Sequence, residues 1–318
     1  MLLSSIILGI FTFVQLNCEN LFDCRHDSLK QDTEFLPGSG RHWTWRRYRR
    51  KLDNISRGVI SCGMEGSDWS LPDMVALCEV ENDSVMRDLT RRSLLRNAGY
   101  DYVMTQSPDV RGIDVALMYS PFSFAPICHY PLRVPMPKAV RPTRDILYVC
   151  GRLVTDDTLH VFVLHAPSRY GGEKQTRPYR MLVAERVGGA IDSLRRLTPE
   201  PNIIVAGDFN DECTDDAVVY LRNRGLTDVS CGVTGRNGAK GTYKYRGRWS
   251  GIDHILVSGS LKKWFKECVV NDDKFLLEDD GKYGGVQPKR CYIGYKYNSG
   301  YSDHLPLTAR FILPRKGE

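Results

Sequence analysis

Long hydrophobic runs are missing from this 318-residue sequence. No stretch reaches the roughly 18 apolar residues that a bilayer-spanning helix needs, so no transmembrane anchor is expected. The ten cysteines contain no C-x-x-C pair, which removes the usual spacing of a zinc site. No internal repeat and no low-complexity linker divides the chain. A large charge imbalance is also missing. The net charge of +6 suits a polyanionic ligand, and suits equally a soluble protein that is merely basic.

What is present describes a folded protein. Hydrophobic residues make up 42% and charged residues 26%, enough to bury a core under a polar surface. The length fits one large domain, taken here as residues 1–318. Cys78 and Cys150 sit inside apolar runs, so most cysteines are read as small buried hydrophobes rather than a disulfide framework. Met1 to Val14 resembles the apolar region of a signal peptide but lacks a basic start and a small-x-small cleavage site. It runs straight into Gln15-Leu16-Asn17 and is read as a first strand. If part of it is an export signal, the protein is exported; otherwise it is cytoplasmic.

Strand-like runs recur at 11–16, 74–78, 115–119, 147–153, 160–164, 203–206, 255–257 and 305–311. Amphipathic helical spacing covers 48–63, 85–97 and 178–197, with Gly99 and the pair Gly188-Gly189 punctuating or interrupting. Strands and helices mix throughout, which gives an α/β or α+β class. Residues 267–300 are dense in charge, Gly and Tyr and read as one long loop excursion. The run from Arg41 to Lys51 interleaves aromatic and basic side chains. It reads as a nucleic-acid surface or as a solvated helix start with its aromatics tucked inward.

Six strand-like runs carry, at one end, groups able to do chemistry. Asp208 follows an apolar run through Gly207, and Asn210 comes two residues later. A carboxylate there can take a proton from water, and an amide can hold a phosphoryl oxygen without adding negative charge. Glu79 ends another run, and hard cations prefer such oxygen ligands. Asn17 and Glu19 end the first. Asp303-His304 places an imidazole beside a carboxylate, and Asp253 could orient that imidazole from a neighbouring strand. His165 supplies a second imidazole for protonating a departing oxygen. Together these residues describe metal-assisted hydrolysis of a phosphate ester.

In these motifs and their order the sequence resembles the endonuclease/exonuclease/phosphatase superfamily. Leu16-Asn17-Cys18-Glu19-Asn20, Glu79 in Leu77-Cys78-Glu79-Val80, Arg111-Gly112-Ile113-Asp114, His165-Ala166-Pro167-Ser168, Gly207-Asp208-Phe209-Asn210, Ile252-Asp253-His254 and Ser302-Asp303-His304-Leu305-Pro306 carry the resemblance. It implies a four-layer sandwich of two packed mixed β-sheets flanked by helices, with the excursion at 267–300 near the site. It implies Mg²⁺ or Mn²⁺ held by Glu79 with Asn17, Glu19 and Asp303. Asp208 and Asn210 would position water and the phosphoryl group. His304 on Asp253 would act as base or stabiliser, and His165 as acid or phosphate donor. Arg111, Arg144 and Arg169 are candidates for substrate phosphate. Where repair nucleases of the group carry a tyrosine, this chain has His165, which points toward the deoxyribonuclease, sphingomyelinase and phosphatase branches. The expected activity is that of a monomeric phosphodiesterase or nuclease. The alternative is a lipid- or sugar-phosphate hydrolase. A catalytically silent binder of nucleic acid or of a partner is the third reading, and no motif is broken in the way it would require.

Overall fold

The computed structural model describes residues 9–65 and 68–314. Residues 1–8 of the apolar N-terminal run lie outside the described residues, and strand begins at Ile10.

Two six-stranded sheets dominate. In the first, the order across the sheet is Phe265–Val270, Leu307–Ile312, Ile10–Leu21, Met74–Val80, Asp114–Tyr119 and Asp101–Met104. In the second it is Leu226–Asp228, Asp253–Ser258, Asn202–Asp208, Thr158–His165, Ile146–Leu153 and Phe124–Leu132. Each sheet holds one parallel pair at its centre: Ile10–Leu21 beside Met74–Val80, and Thr158–His165 beside Asn202–Asp208. The remaining neighbours are antiparallel, so both sheets are mixed.

Alternation along the strands sorts side chains into three cores. Phe11, Phe13, Ala76 and Leu117 of the first sheet meet Val161, Val163, Ile204 and Ile255 of the second, forming the centre. Val14, Leu16, Val75 and Leu77 point the other way, under the helices Trp45–Ser61 and Asp83–Arg91. Phe162, Leu164, Ile203 and Val205 face the helices Glu173–Leu197 and Asp216–Arg222. The four layers are those expected.

Several local expectations need correction. The pair Gly188-Gly189 does not interrupt its helix, which runs unbroken from Glu173 to Leu197. A Cβ on Gly188 would lie 2.9 Å from the Tyr220 ring and 3.0 Å from the Arg224 side chain, so glycine there permits a close approach. The second helix stops at Arg91 rather than Asn97, because Ser93 turns its hydroxyl onto the Leu89 carbonyl and the Leu95 amide. Residues 267–300 are not wholly an excursion. They begin inside Phe265–Val270, a strand paired with Leu307–Ile312, and then form two small hairpins. Cys213 and Cys231 form a disulfide, while Cys18, Cys24, Cys62, Cys78, Cys150 and Cys291 are buried and free, as expected for most of the cysteines.

Candidate active site

Strand register brings the site together at one edge of the sandwich. In the second sheet Asp208 stands opposite His165 on one side and opposite Asp253 on the other, so three neighbouring strands deliver three candidate side chains in a row. Gly207 lies within its strand, not in a turn. A Cβ there would sit 1.8 Å from the Leu164 carbonyl oxygen, so only glycine allows the two strands to pair at this point. In the first sheet the inward face of the first strand reads Phe11, Phe13, Gln15, Asn17. The polarity changes where the sandwich ends. Both central strands of this sheet shift register near their ends, and Glu19, Asn20 and Glu79 adopt left-handed backbone (φ 50°, 56° and 62°). Such bulges re-aim side chains at the cost of strain and recur at functional sites. Asn210, at φ 52°, does the same in the second sheet.

The Asp253 carboxylate is bonded on both oxygens. Oδ2 accepts from His304 Nδ1 at 2.7 Å and from the Thr242 hydroxyl at 2.6 Å, and Oδ1 accepts from the Gln15 amide at 2.9 Å. Gln15 reaches across from the other sheet and is fully buried. Burial opposes a charge on His304, but Asp253, its hydrogen bond and Asp208 outweigh it and hold the imidazole well above its ordinary pKa. The Tyr243 ring packs on His304, with centroids 4.9 Å apart.

His304 Nε2 faces Asp208 Oδ2 at 3.9 Å. Asp208 accepts the Asn17 amide on Oδ2 at 3.0 Å and the Asn210 backbone N–H on Oδ1 at 2.9 Å. Burial raises its carboxyl to about 7, with His304 pulling the other way. The turn beyond it is pinned from several sides. The Arg169 guanidinium donates to the Asn210 carbonyl at 2.6 Å, Arg180 pairs with Asp211 at 2.5 Å, and His254 donates Nε2–H to the Asp211 carbonyl and Nδ1–H to Asp228, both at 2.8 Å. His254 needs both protons for those bonds, and Asp228 raises its pKa against the effect of burial.

His165 Nε2 lies 3.4 Å from Asp208 Oδ2 and 3.8 Å from Glu79 Oε1. Burial, with Arg144 and Arg111 nearby, lowers its pKa well below the usual value, so it is a neutral imidazole. Glu79 Oε2 accepts the Asn20 backbone N–H at 2.8 Å. Its Oε1 is 3.9 Å from Arg111, whose guanidinium bonds the Asn20 side chain at 2.6 Å.

Two expected site residues point elsewhere. Glu19 accepts the Cys291 backbone N–H at 2.7 Å and pairs with buried Lys51 at 3.7 Å, and burial raises its carboxyl to about 7. Lys51 also donates to the Tyr301 carbonyl at 2.6 Å, and Asn54 bonds the Ser299 and Gly300 carbonyls. Glu19 is therefore a clamp on the segment leading to Asp303 and His304. Arg144 is buried, bonding the Ala166 carbonyl at 2.7 Å and pairing with Asp109 at 3.4 Å behind His165. The basic aromatic run follows the inward reading in part: Trp43, Tyr48 and Lys51 are buried, while Arg41 and Arg47 stack on Tyr292 and Tyr297.

The cleft above these groups encloses about 580 Å³. Glu79, His165, Asp208, Asn210, Asp303, His304, Arg111 and Arg169 line it, and Asp253 and Asn17 stand behind. The hairpin Tyr243–Ser250, which sequence reading passed over, adds Tyr243, Tyr245, Arg248 and Ser250, and the loop after His165 adds Ser168 and Tyr170. Only its alternating aromatics could have signalled it. The ligand atoms of Asp208, Asp253 and His304 gather within 4.8 Å, the spacing of a metal group. Asp253 has both oxygens engaged by protein donors, so this trio reads better as a proton-handling group. Among the carboxylates that line the cleft, Glu79 and Asp303 lie outside that trio and offer oxygen, the hard type of ligand that Mg²⁺ and Mn²⁺ take.

The fold is shared with solved structures. An endonuclease/exonuclease/phosphatase family protein from Bacteroides thetaiotaomicron is 17% identical, with 96% of this chain and 98% of that chain covered and a TM-score of 0.64. A mannosyl-6-phosphatase from the same organism is 19% identical over 95% and 100% of the two chains (TM-score 0.63). The human Nocturnin catalytic domain is 17% identical over 95% and 94% (TM-score 0.57). No curated protein matches the sequence. The sequence profile of the Endonuclease/Exonuclease/phosphatase family matches residues 12–312, from the first core strand to the last, through every motif that lines the cleft. The chain belongs to the endonuclease/exonuclease/phosphatase family.

Proposed function

We propose that this protein is a divalent-metal-dependent phosphodiesterase in which water attacks phosphorus in line. The observation that carries the reading is the row His165–Asp208–Asp253, with His304 seated on Asp253 and facing Asp208. Asp208 is the proton acceptor. Its carboxyl, raised to about 7, is far more basic than an ordinary aspartate, and each of its oxygens keeps a lone pair for water. His304 is held protonated, so it stabilises charge on the phosphoryl group rather than serving as base. His165 is neutral and gives an N–H hydrogen bond to a phosphoryl oxygen. The Asn210 amide donates one N–H to the Ala166 carbonyl at 3.2 Å and gives its other N–H to a phosphoryl oxygen. Arg111, half-exposed beside Glu79, is the arginine placed for substrate phosphate.

Glu79 and Asp303 would hold the metal, while Asn17 orients Asp208. Bound Mg²⁺ or Mn²⁺ supplies positive charge that offsets the phosphate's own. A diester suits the cleft better than a monoester. The lining carries the carboxylates of Glu79, Glu173, Asp208 and Asp303, and a diester brings one negative charge against them where a monoester brings up to two.

The test is a hydrolysis panel of bis-p-nitrophenyl phosphate, p-nitrophenyl phosphate, single- and double-stranded DNA, RNA, sphingomyelin and inositol phosphates. Each is run with Mg²⁺, Mn²⁺ or EDTA. Metal-dependent cleavage of the diester ahead of the monoester is expected. Preference for the monoester would transfer the protein to the sugar-phosphate reading.

A further inference from the structure

We propose that the mouth of the cleft is a ring-binding subsite, formed by Tyr170 and Tyr245, for the flat aromatic substituent of a small phosphoester of the nucleoside type. The inference rests on the phosphoester reading and names its substrate class. Tyr170 is 93% exposed and Tyr245 57%, and both line the cleft from different elements. Two aromatic rings left in water at one opening offer apolar faces to a ligand.

Several polar groups of the mouth already hold protein partners. Arg248 and Ser250 both donate to Glu212 Oε1, at 3.1 and 3.0 Å. Arg169 is spent on the Asn210 carbonyl and on Asp215. The Ser168 hydroxyl accepts the Tyr170 backbone N–H at 3.2 Å. A polyol would need free donors and acceptors here, and a polynucleotide would need free cations along its path. The ring faces are what remain on offer. The Tyr245 platform is also held in place before any ligand arrives. Lys244, next to it, is buried in an ion pair with Asp280 at 2.8 Å and donates to the Gly284 and Val286 carbonyls. The Arg246 guanidinium lies 5.2 Å from the Tyr245 ring centroid and adds cationic character to the stack. A volume of about 580 Å³ exceeds what a phosphoryl group needs and falls in the range of pockets for whole small molecules.

Equilibrium binding of adenosine 5′-monophosphate and ribose 5-phosphate tests this, measured with Mg²⁺ on the Asp208→Asn protein so that neither ligand is consumed. The two share phosphate and sugar and differ by the ring. The expected preference for the nucleotide is about tenfold or more, the size of one aromatic–base stack. Tyr245→Ala and Tyr170→Ala should each reduce that ratio, and Tyr245→Phe should keep it. Equal binding of both ligands, or a ratio untouched by either alanine variant, would overturn the subsite. So would an oligonucleotide that displaces the nucleotide with steep salt dependence. A ring preference without diester hydrolysis in the panel would leave the subsite standing and refute the assigned reaction. Hydrolysis without a ring preference would do the reverse.

Discussion

His304 Nδ1 donates to Asp253 Oδ2 at 2.7 Å, and Asp253 is in turn held from the opposite sheet by Gln15. A glutamine at an inward position of a core strand is unfavourable unless it is bonded, and Asp253 is its hydrogen-bond partner. Gln15→Leu keeps the apolar volume and removes the donor. The expected result is a kcat lowered by about tenfold with KM little changed, since a lost buried bond to a charge amounts to roughly 1.5–3 kcal/mol. Steady-state kinetics beside a thermal melt check this. A lowered melting point with kcat intact would reduce Gln15 to a packing role.

His165→Ala separates two roles for a neutral imidazole. As a hydrogen-bond donor to the phosphoryl group, His165 should matter equally for good and poor leaving groups. An acid delivering a proton to the departing oxygen would matter least for p-nitrophenolate. The expected loss is on the order of 10²-fold for both an activated and an alkyl diester. A loss confined to the alkyl ester would restore the acid role that the sequence alone suggests.

Metal-free stability should fall as pH rises from 6 to 9. His304 and His254 have raised pKa values, so their stabilisation is complete below about 6.5 and is lost as pH climbs through their folded values. Asp208 and Glu19, raised to about 7, act in the same direction, because ionising them inside the fold is unfavourable. The midpoint of chemical denaturation in EDTA should therefore drop across that window, and Mg²⁺ should recover more of it at pH 8.5 than at pH 6. A midpoint that is flat or rises would contradict the protonation states assigned here.

Lys51→Met tests the clamp on the Asp303–His304 segment. It leaves Glu19 buried without its cation and frees the Tyr301 carbonyl. Breaking a buried pair in this way typically removes about 3–5 kcal/mol. Guanidinium denaturation should show that loss, and kcat should fall with it. A change within about 0.5 kcal/mol, the range of ordinary surface substitutions, would mean that Lys51 merely solvates.

Much of this was legible in the sequence. The apolar runs from Phe11 to Leu16 and from Ile203 to Ala206 are strands because their residues face cores on both sides, and their polar ends are where the sandwich stops. The strand Phe124–Leu132 was not legible. It is an edge strand containing Pro126 and Pro131, and most of its side chains are exposed, so it shows neither alternation nor an apolar run. Glu19 and Arg144 have the residue types of site members, yet a left-handed backbone turns Glu19 onto Lys51, and Arg144 is buried against Asp109 and the Ala166 carbonyl. Spacing carries no record of a left-handed residue that re-aims a side chain. Gln15 and Thr242 were invisible for another reason: their role exists only once the two sheets pack and Asp253 lies between them.

The most direct measurement is the turnover of bis-p-nitrophenyl phosphate by the wild type, Glu79→Gln and Asp208→Asn across a titration of Mg²⁺ or Mn²⁺. The account predicts no turnover in EDTA and a metal requirement shifted to higher concentration in Glu79→Gln. In Asp208→Asn it predicts turnover lower by about 10²–10⁴-fold at every metal concentration, with the fold intact. Wild-type turnover in EDTA, or an Asp208→Asn enzyme that keeps its rate, would contradict it.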